Sequence, residues 1–405
     1  MPSLRVRHRL HGIFVRREGR FEQIDGLRAI AILWVFASHV LFLLSEFLQP
    51  SAIAELVSRP GLQWMWHGHF GVDIFFVISG FLIGNLLITE VERTRALDLR
   101  RFYVRRLLRL FPVYLVVIAF VAVFGLLTGD PKVPLRYVWT NLLYVNNFVT
   151  VFSQFMSWTW SLAIEEQFYL LCPLFVLALS RTTRSPLAVV CWCVLAGYVL
   201  NLVIGHVWAA PIHYVIHPAL NPPEFARYFD LLYDKLHTRY ACLLMGVGVA
   251  YLLRHERALA WLGKPVHGHA TLVLALLLLV GTPLWIDHGS WDRPSGTAFM
   301  STYRYTFSLG VALLLALTFT PHAVGRWLVR ALSARPWYPI AQVSYSTYLI
   351  HPVVLFMVIR AQYGGGSVTA LDILRYGITG AIVTFAIASA LFVFIEKPLL
   401  DRRPG

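Results

Sequence analysis

The chain alternates long apolar runs with short polar connections. Ten runs approach spanning length, at about 26–46, 69–89, 107–127, 160–180, 187–208, 238–254, 269–286, 303–320, 339–360 and 371–396. Each comes near the roughly 20 residues that a helix needs to cross the hydrocarbon of a bilayer. The pattern predicts an all-α protein, a polytopic membrane bundle of about ten transmembrane helices. Ten spans leave little chain for anything else. The expected organisation is one membrane domain at 26–397, a basic segment at 1–25 before it and a tail at 398–405 after it. No internal repeat or low-complexity tract breaks the pattern. The longest outer connections are 128–159 and 209–237. The second holds His213, His217, Pro218, Pro222 and Pro223, and reads as ordered but irregular.

Composition agrees with a membrane protein: 58% of the 405 residues are hydrophobic and 14% charged, against about 25% charged in a soluble domain. The net charge of +14 fits nucleic acid, anionic lipid or topology, and its distribution decides between them. Arg5, Arg7, Arg9, Arg16, Arg17 and Arg20 precede the first run, and Arg93, Arg95, Arg100, Arg101, Arg105 and Arg106 lie between the second and third. Later even-numbered connections hold Arg181 and Arg184, then Arg254, Arg257 and Lys264, then Arg326, Arg330 and Arg335, and the tail holds Lys397, Arg402 and Arg403. The odd-numbered connections hold only Arg59, Lys132, Arg136, Arg227, Lys235, Arg293 and Arg360. The positive-inside rule then places both termini in the cytoplasm. Topology accounts for the charge, and no nucleic-acid partner is expected.

Cys172, Cys191, Cys193 and Cys242 all fall inside apolar runs, where packing is the expected role, because a disulfide framework would sit in exported loops. The first run lacks a small-residue cleavage site, so no removable leader is expected.

A charge inside a bilayer costs roughly 2.5–3.5 kcal/mol on insertion scales, so the polar residues within the runs need a reason. Arg28 and His39 are eleven residues apart in the first run. Eleven steps of ~100° return within about 20° of the start, over a rise of about 16 Å. The two side chains therefore share a face, with Arg28 near the cytoplasmic end and His39 in the outer half. That span matches the reach of a pantetheine arm between a phosphate headgroup and a thioester. The plainer readings are an arginine snorkelling to lipid phosphate and a hydrogen-bonded core histidine. In the second run Asp73 lies near the outer end and Ser79, Gly80 and Gly84 lie deeper. Small residues permit close helix approach, or leave room for a slender ligand. Ahead of the third run, Arg101, Arg105 and Arg109 recur at i, i+4 and i+8, with Arg106 beside them. The stripe suits several phosphates bound by guanidinium forks, or anionic lipid.

In the fourth run, W-S-L-A-I-E-E-Q-F-Y, Ser161, Glu165 and Tyr169 are spaced by four and line one face. Glu166 points about 100° away. By helix rise Glu165 lies about 6–8 Å, and His39 about 10 Å, below the outer boundary. A plainer role for Glu165 is a structural pair with a buried arginine, Arg239 or Arg304. Tyr345, Ser346, Tyr348 and His351 mark the ninth run, where His351 reads as helix packing or as lining for an acceptor pocket. No spacing of ligands implies a metal.

These elements together resemble the membrane-bound acyltransferase-3 family. The resemblance rests on D-G-L-R-A-I-A followed by His39, G-V-D-I-F-F-V-I-S-G-F-L at 71–82, R-R-L-L-R-L-F-P-V-Y at 105–114, W-S-L-A-I-E-E-Q-F-Y at 160–169 and S-Y-S-T-Y-L-I-H-P at 344–352. It covers about residues 21–400. It implies an acyltransferase-3 transmembrane domain in a bacterial inner membrane, acetyl-CoA used from the cytoplasm, and a carbohydrate or glycolipid acceptor outside. Some members carry an extracytoplasmic esterase-like domain after the spans, which is not expected here. Arg28, Arg101, Arg105, Arg106 and Arg109 would hold the donor, with Ser79 along its path. His39 would act as general base supported by Glu165, with Asp73, Ser161, Tyr169 and His351 toward the acceptor. Direct transfer and a covalent stop on His39 or Ser79 both remain open. The competing reading is a proton-coupled transporter with Glu165 and His39 as a relay, against which no inverted repeat is found. A polyprenyl-sugar glycosyltransferase is a weaker third, lacking acidic metal-binding motifs.

Overall fold

The computed structural model describes residues 2–16, 21–59, 61–130, 133–207, 218–288 and 294–401. His213 and His217, and Arg17, Arg20, Lys132, Arg293, Arg402 and Arg403 of the charge pattern, lie outside the described residues. The principal helices are α1 Pro2–Phe14, α2 Gln23–Ser45, α3 Phe70–Thr94, α4 Leu99–Thr128, α5 Trp160–Thr182, α6 Pro186–Val207, α7 Leu236–Leu252, α8 Pro265–His288, α9 Pro294–Leu317, α10 Ser344–Gln362 and α11 Ala370–Leu391. Among the described residues no strand occurs. Local chemistry sets several helix ends. Asp98 caps α4 by accepting the Arg101 N–H at 2.9 Å, and Thr369 and Asp372 form a reciprocal capping box at the start of α11.

Among the described residues seven helices are long and apolar enough to cross a membrane; an eighth is added if Leu236–Leu252 and Glu256–Leu262, bent by 102°, form one broken span. Length and composition thus mark seven or eight spans where ten runs were expected. The runs 303–320 and 339–360 are helical, in α9 and α10, but both are interrupted by polar side chains such as Arg304, Ser344, Ser346 and His351 and fall short in apolarity.

The helices gather into two compact units, each discontinuous in sequence. One comprises Met1–Gly71, Asp98–Leu142 and Leu332–Gly405; the other comprises Val72–Leu97 and Leu143–Ala331. In the first, α2 packs on α10, α11 and the short helix Trp337–Gln342, and α10 packs along α11. The basic segment before α2 is part of this unit. Ile13 of α1 is buried with Val343, Ala388, Phe392 and Val393, and Tyr338 donates to the Gly12 carbonyl at 3.2 Å. Arg16 donates to the Ser333 carbonyl at 2.7 Å and pairs with Glu22 and Asp25. An arginine counted for topology thus also ties the segment before α2 to the chain at Ser333.

In the second unit α7 is buried nearly all round, the mark of a central helix. The apolar window of the span containing α3 is 78% buried, against 17% for that of α8, so α8 presents most of its surface outward. Cys172 and Cys242 are buried as expected, whereas Cys191 is exposed on the outer face of α6. Gly80 and Gly246 set how closely α3 and α7 approach. A Cβ on Gly80 would fall 1.8 Å from the Leu243 carbonyl oxygen, and one on Gly246 would fall 2.1 Å from that of Val77. At the far end of α7, Arg254 reaches across α3. It donates to Asn85 and Thr89 at 2.7 Å each and to Glu92 at 3.3 Å, a ladder along one face of that helix.

Gly80→Val or Gly246→Val should force α3 from α7. Overpacking of this kind costs about 1–3 kcal/mol, so the detergent-purified variants should show a lower Tm than the parent. An unchanged Tm would mean that this contact does not set the helix spacing.

Candidate active site

In the first unit α2 carries both Arg28 and His39. The His39 Nδ1 lies 2.9 Å from the Val35 carbonyl oxygen, one turn back. A carbonyl only accepts, so Nδ1 carries the proton and Nε2 keeps a lone pair. The ring meets that of His351 edge to face, with centroids 4.7 Å apart. His351 is fully buried and pinned in the same way, its Nδ1 lying 2.9 Å from the Tyr348 carbonyl and 3.0 Å from that of Thr347. The next residue explains this. Pro352 has no N–H for the carbonyl four residues back, and the imidazole of His351 fills the place on Tyr348. The Nε2 of His351 has no hydrogen-bond partner among the described residues. Phe36 packs against His351 at 6.1 Å. The sequence offered His351 only as packing or pocket lining, and the His-Pro dipeptide was the signal for its fixed ring.

The arginine stripe lies on the first turns of α4, in the same unit. Arg101 is exposed, and Arg28, Arg105, Arg106 and Arg109 are half-buried. The Arg106 guanidinium sits over the Phe102 ring at 5.8 Å. Tyr345 of α10 donates to the Leu110 carbonyl at 2.5 Å, fastening the helix that bears His351 to the helix that bears the stripe.

The second unit holds Glu165 of α5. Its Oε1 accepts from Ser79 at 3.2 Å and its Oε2 from Tyr169 at 2.9 Å. The i, i+4 spacing thus becomes a hydrogen bond, and both carboxylate oxygens are engaged. Ser161 is buried one turn earlier. Neither Arg239 nor Arg304 pairs with Glu165, contrary to the structural alternative raised from the sequence. Both are bonded to Asp73, which is fully buried.

A further polar cluster of the second unit carried no sequence signal. Gln167 donates to the Tyr144 carbonyl and to Asn147 Oδ1, both at 2.9 Å. Asn147 donates to the Asp234 carbonyl at 3.1 Å. The Asp234 carboxylate accepts from Gln154 at 2.8 Å and Lys235 at 2.6 Å. Tyr144 holds φ +55°, a conformation that costs a bulky residue on the order of 1–3 kcal/mol. Burial pushes the Asp234 carboxyl up to about 7, against the opposing pull of Lys235 and Gln154. Among the described residues no three His, Cys, Asp or Glu side chains converge as metal ligands.

These helices, long and apolar yet holding pinned imidazoles and a braced carboxylate, are those of a multi-pass membrane protein with acid/base groups in its interior. The chain belongs to the acyltransferase-3 family, whose acyltransferase-domain model matches residues 21–395. It is 29% identical over 402 residues to the peptidoglycan O-acetyltransferase OatA of Listeria monocytogenes, covering 93% of this chain and 55% of that protein. It is 28% identical over 399 residues to the O-acetyltransferase OatA of Staphylococcus aureus, covering 93% and 56%. The chain thus spans about half the length of the curated relatives it matches. No solved structure matches it.

The Asp234 network predicts a pH dependence. An unfolded aspartate releases its proton near pH 3.9, whereas the folded one keeps it to about 7. The folded state binds more protons in between, so stability should fall as pH rises from about 4 to about 7 and level off above. Asp230, also raised by burial, adds in the same sense. Asp234→Asn should flatten most of that slope in thermal melts of the purified protein. An undiminished slope would show that Asp234 ionises normally.

Proposed function

We propose that this chain is an integral membrane O-acetyltransferase. It takes an acetyl group from acetyl-CoA on the cytoplasmic side of a bacterial inner membrane and delivers it to a hydroxyl of a sugar or glycan on the outer side. The observation that carries the proposal is the fixed tautomer of His39, whose Nδ1–H is committed to the Val35 carbonyl and whose Nε2 is left basic. Family membership supports acyl transfer, and the relatives' names support acetyl as the group and a cell-wall glycan as the acceptor.

In this reading the Nε2 of His39 takes the acceptor hydroxyl proton as the oxygen attacks the thioester carbonyl. A C–O bond forms, the C–S bond breaks, and the imidazolium returns its proton to the departing thiolate. His351 is a positioning residue, its pinned ring set edge to face against His39. Glu165, oriented by Ser79 and Tyr169, is a second group required for the reaction, and Ser161 belongs on the acceptor side. The coenzyme A phosphates engage Arg101, Arg105, Arg106 and Arg109, with Arg28 deeper along α2.

Two outcomes test this. His39→Ala in proteoliposomes, with acetyl-CoA on the face bearing the arginines and a glycan acceptor on the other, should lower acetylation by about 10²–10⁴-fold, the protein remaining folded. Full acetylation by the variant would remove His39 from the chemistry. Arg106→Ala with Arg109→Ala should raise the KM for acetyl-CoA and weaken its dependence on salt, because charge-assisted bonds contribute about 1.5–3 kcal/mol each. An unchanged KM would reduce the stripe to a topology signal.

A further inference from the structure

The interior of the second unit holds two arginines and one carboxylate. Arg239 donates through Nη2 to Asp73 Oδ1, and Arg304 Nη1 lies 2.9 Å from Asp73 Oδ2. Asp73 and Arg239 are 0% exposed and Arg304 5%. Two cations against one anion leave a buried excess of one positive charge. No second carboxylate lies within ion-pairing distance of either guanidinium among the described residues. The Nε and Nη1 of Arg239 and the Nε and Nη2 of Arg304 are buried without a hydrogen-bond partner.

Aromatic rings offset part of the charge. Arg304 lies 4.1 Å from the centroid of Tyr233 and 5.1 Å from that of Tyr303. Arg239 lies 5.4–5.8 Å from Phe76, Trp160 and Tyr233. Ring faces attract a cation, but they carry no net charge and do not remove the excess. Buried charges are ordinarily paired and fully hydrogen-bonded, and here Asp73 supplies one negative charge for two cations and leaves four of their nitrogens without an acceptor.

We propose that Arg239 and Arg304, oriented by Asp73, bind one small monovalent anion, a carboxylate or a halide. One negative charge neutralises the cluster, and the vacant N–H groups supply its hydrogen bonds. A carboxylate matches the guanidinium fork with two parallel bonds, while a halide needs only charge and donors. The aromatic surround sets a limit on size. Asp73 becomes a positioning residue, since both of its oxygens are used on arginine. This inference stands apart from acyl transfer, because its readout is anion binding.

The full chain, purified in detergent, is melted at fixed pH and ionic strength in sodium gluconate, whose bulky anion serves as reference, and with gluconate replaced stepwise by acetate or chloride. Bound ligand stabilises the folded state in proportion to the logarithm of its concentration once sites fill, so Tm should climb with acetate, with chloride or with both. A rise with acetate alone identifies a carboxylate site; a rise with either identifies a site for any small monoanion. Arg304→Met leaves Asp73 and Arg239 as a neutral pair, and the rise should vanish. Independently of any variant, the parent should broaden the ³⁵Cl resonance of dissolved chloride or, at a carboxylate-only site, slow the tumbling of acetate seen by ¹³C relaxation. A Tm indifferent to the anion with no broadening or slowing, or an equal rise in Arg304→Met, overturns the proposal.

Discussion

Hydrocarbon offers no partner to a polar group, so each polar side chain within these helices must find one inside the protein. That constraint shapes the interior more than the apolar packing does. Apolar residues cover every long helix and fit many arrangements. The polar ones fit few, and the helices settle where these are met. Arg254 is placed by a ladder of three acceptors on α3, and Glu165 by a serine and a tyrosine. Asp73 needs two arginines from two different helices, which fixes α3, α7 and α9 relative to one another within the second unit.

The glycines complete this logic. Polar bonds between helices form only when the backbones are near enough, and Gly80 and Gly246 remove the side chains that would hold α3 and α7 apart. Sequence position shows the economy: Ser79, which donates to Glu165, is next to Gly80. The same turn of α3 therefore supplies both close approach and a polar contact, and of the readings drawn for this motif from sequence, close helix approach is the one seen at Gly80.

Much of this was legible in the sequence where the information is local. The helical class followed from the apolar runs, and the i, i+4 relation of Glu165 and Tyr169 became a hydrogen bond because helix geometry alone determines it. Partners from distant parts of the chain were not legible. His39 and His351 meet within one unit though they come from opposite ends of the sequence, and periodicity within α2 says nothing about α10. Arg239 and Arg304 were recognised as buried cations, but the carboxylate offered to them was Glu165, and Asp73 emerged as their partner only once the helices were packed. The number of spans is less legible for a related reason: α9 and α10 are helices that carry polar residues, and these lower the apolarity by which a span is recognised.

The dipeptide His351–Pro352 has a consequence for how this protein can change. The ring nitrogen that carries the proton faces two carbonyls, that of Thr347 and that of Tyr348, which the proline leaves without a backbone donor. Restoring an N–H at position 352 would return that carbonyl to the backbone ladder and leave the imidazole with the Thr347 carbonyl alone. A residue with no functional group of its own thus gives its neighbour's proton a second acceptor, and the imidazole is held twice where an ordinary helix would hold it once.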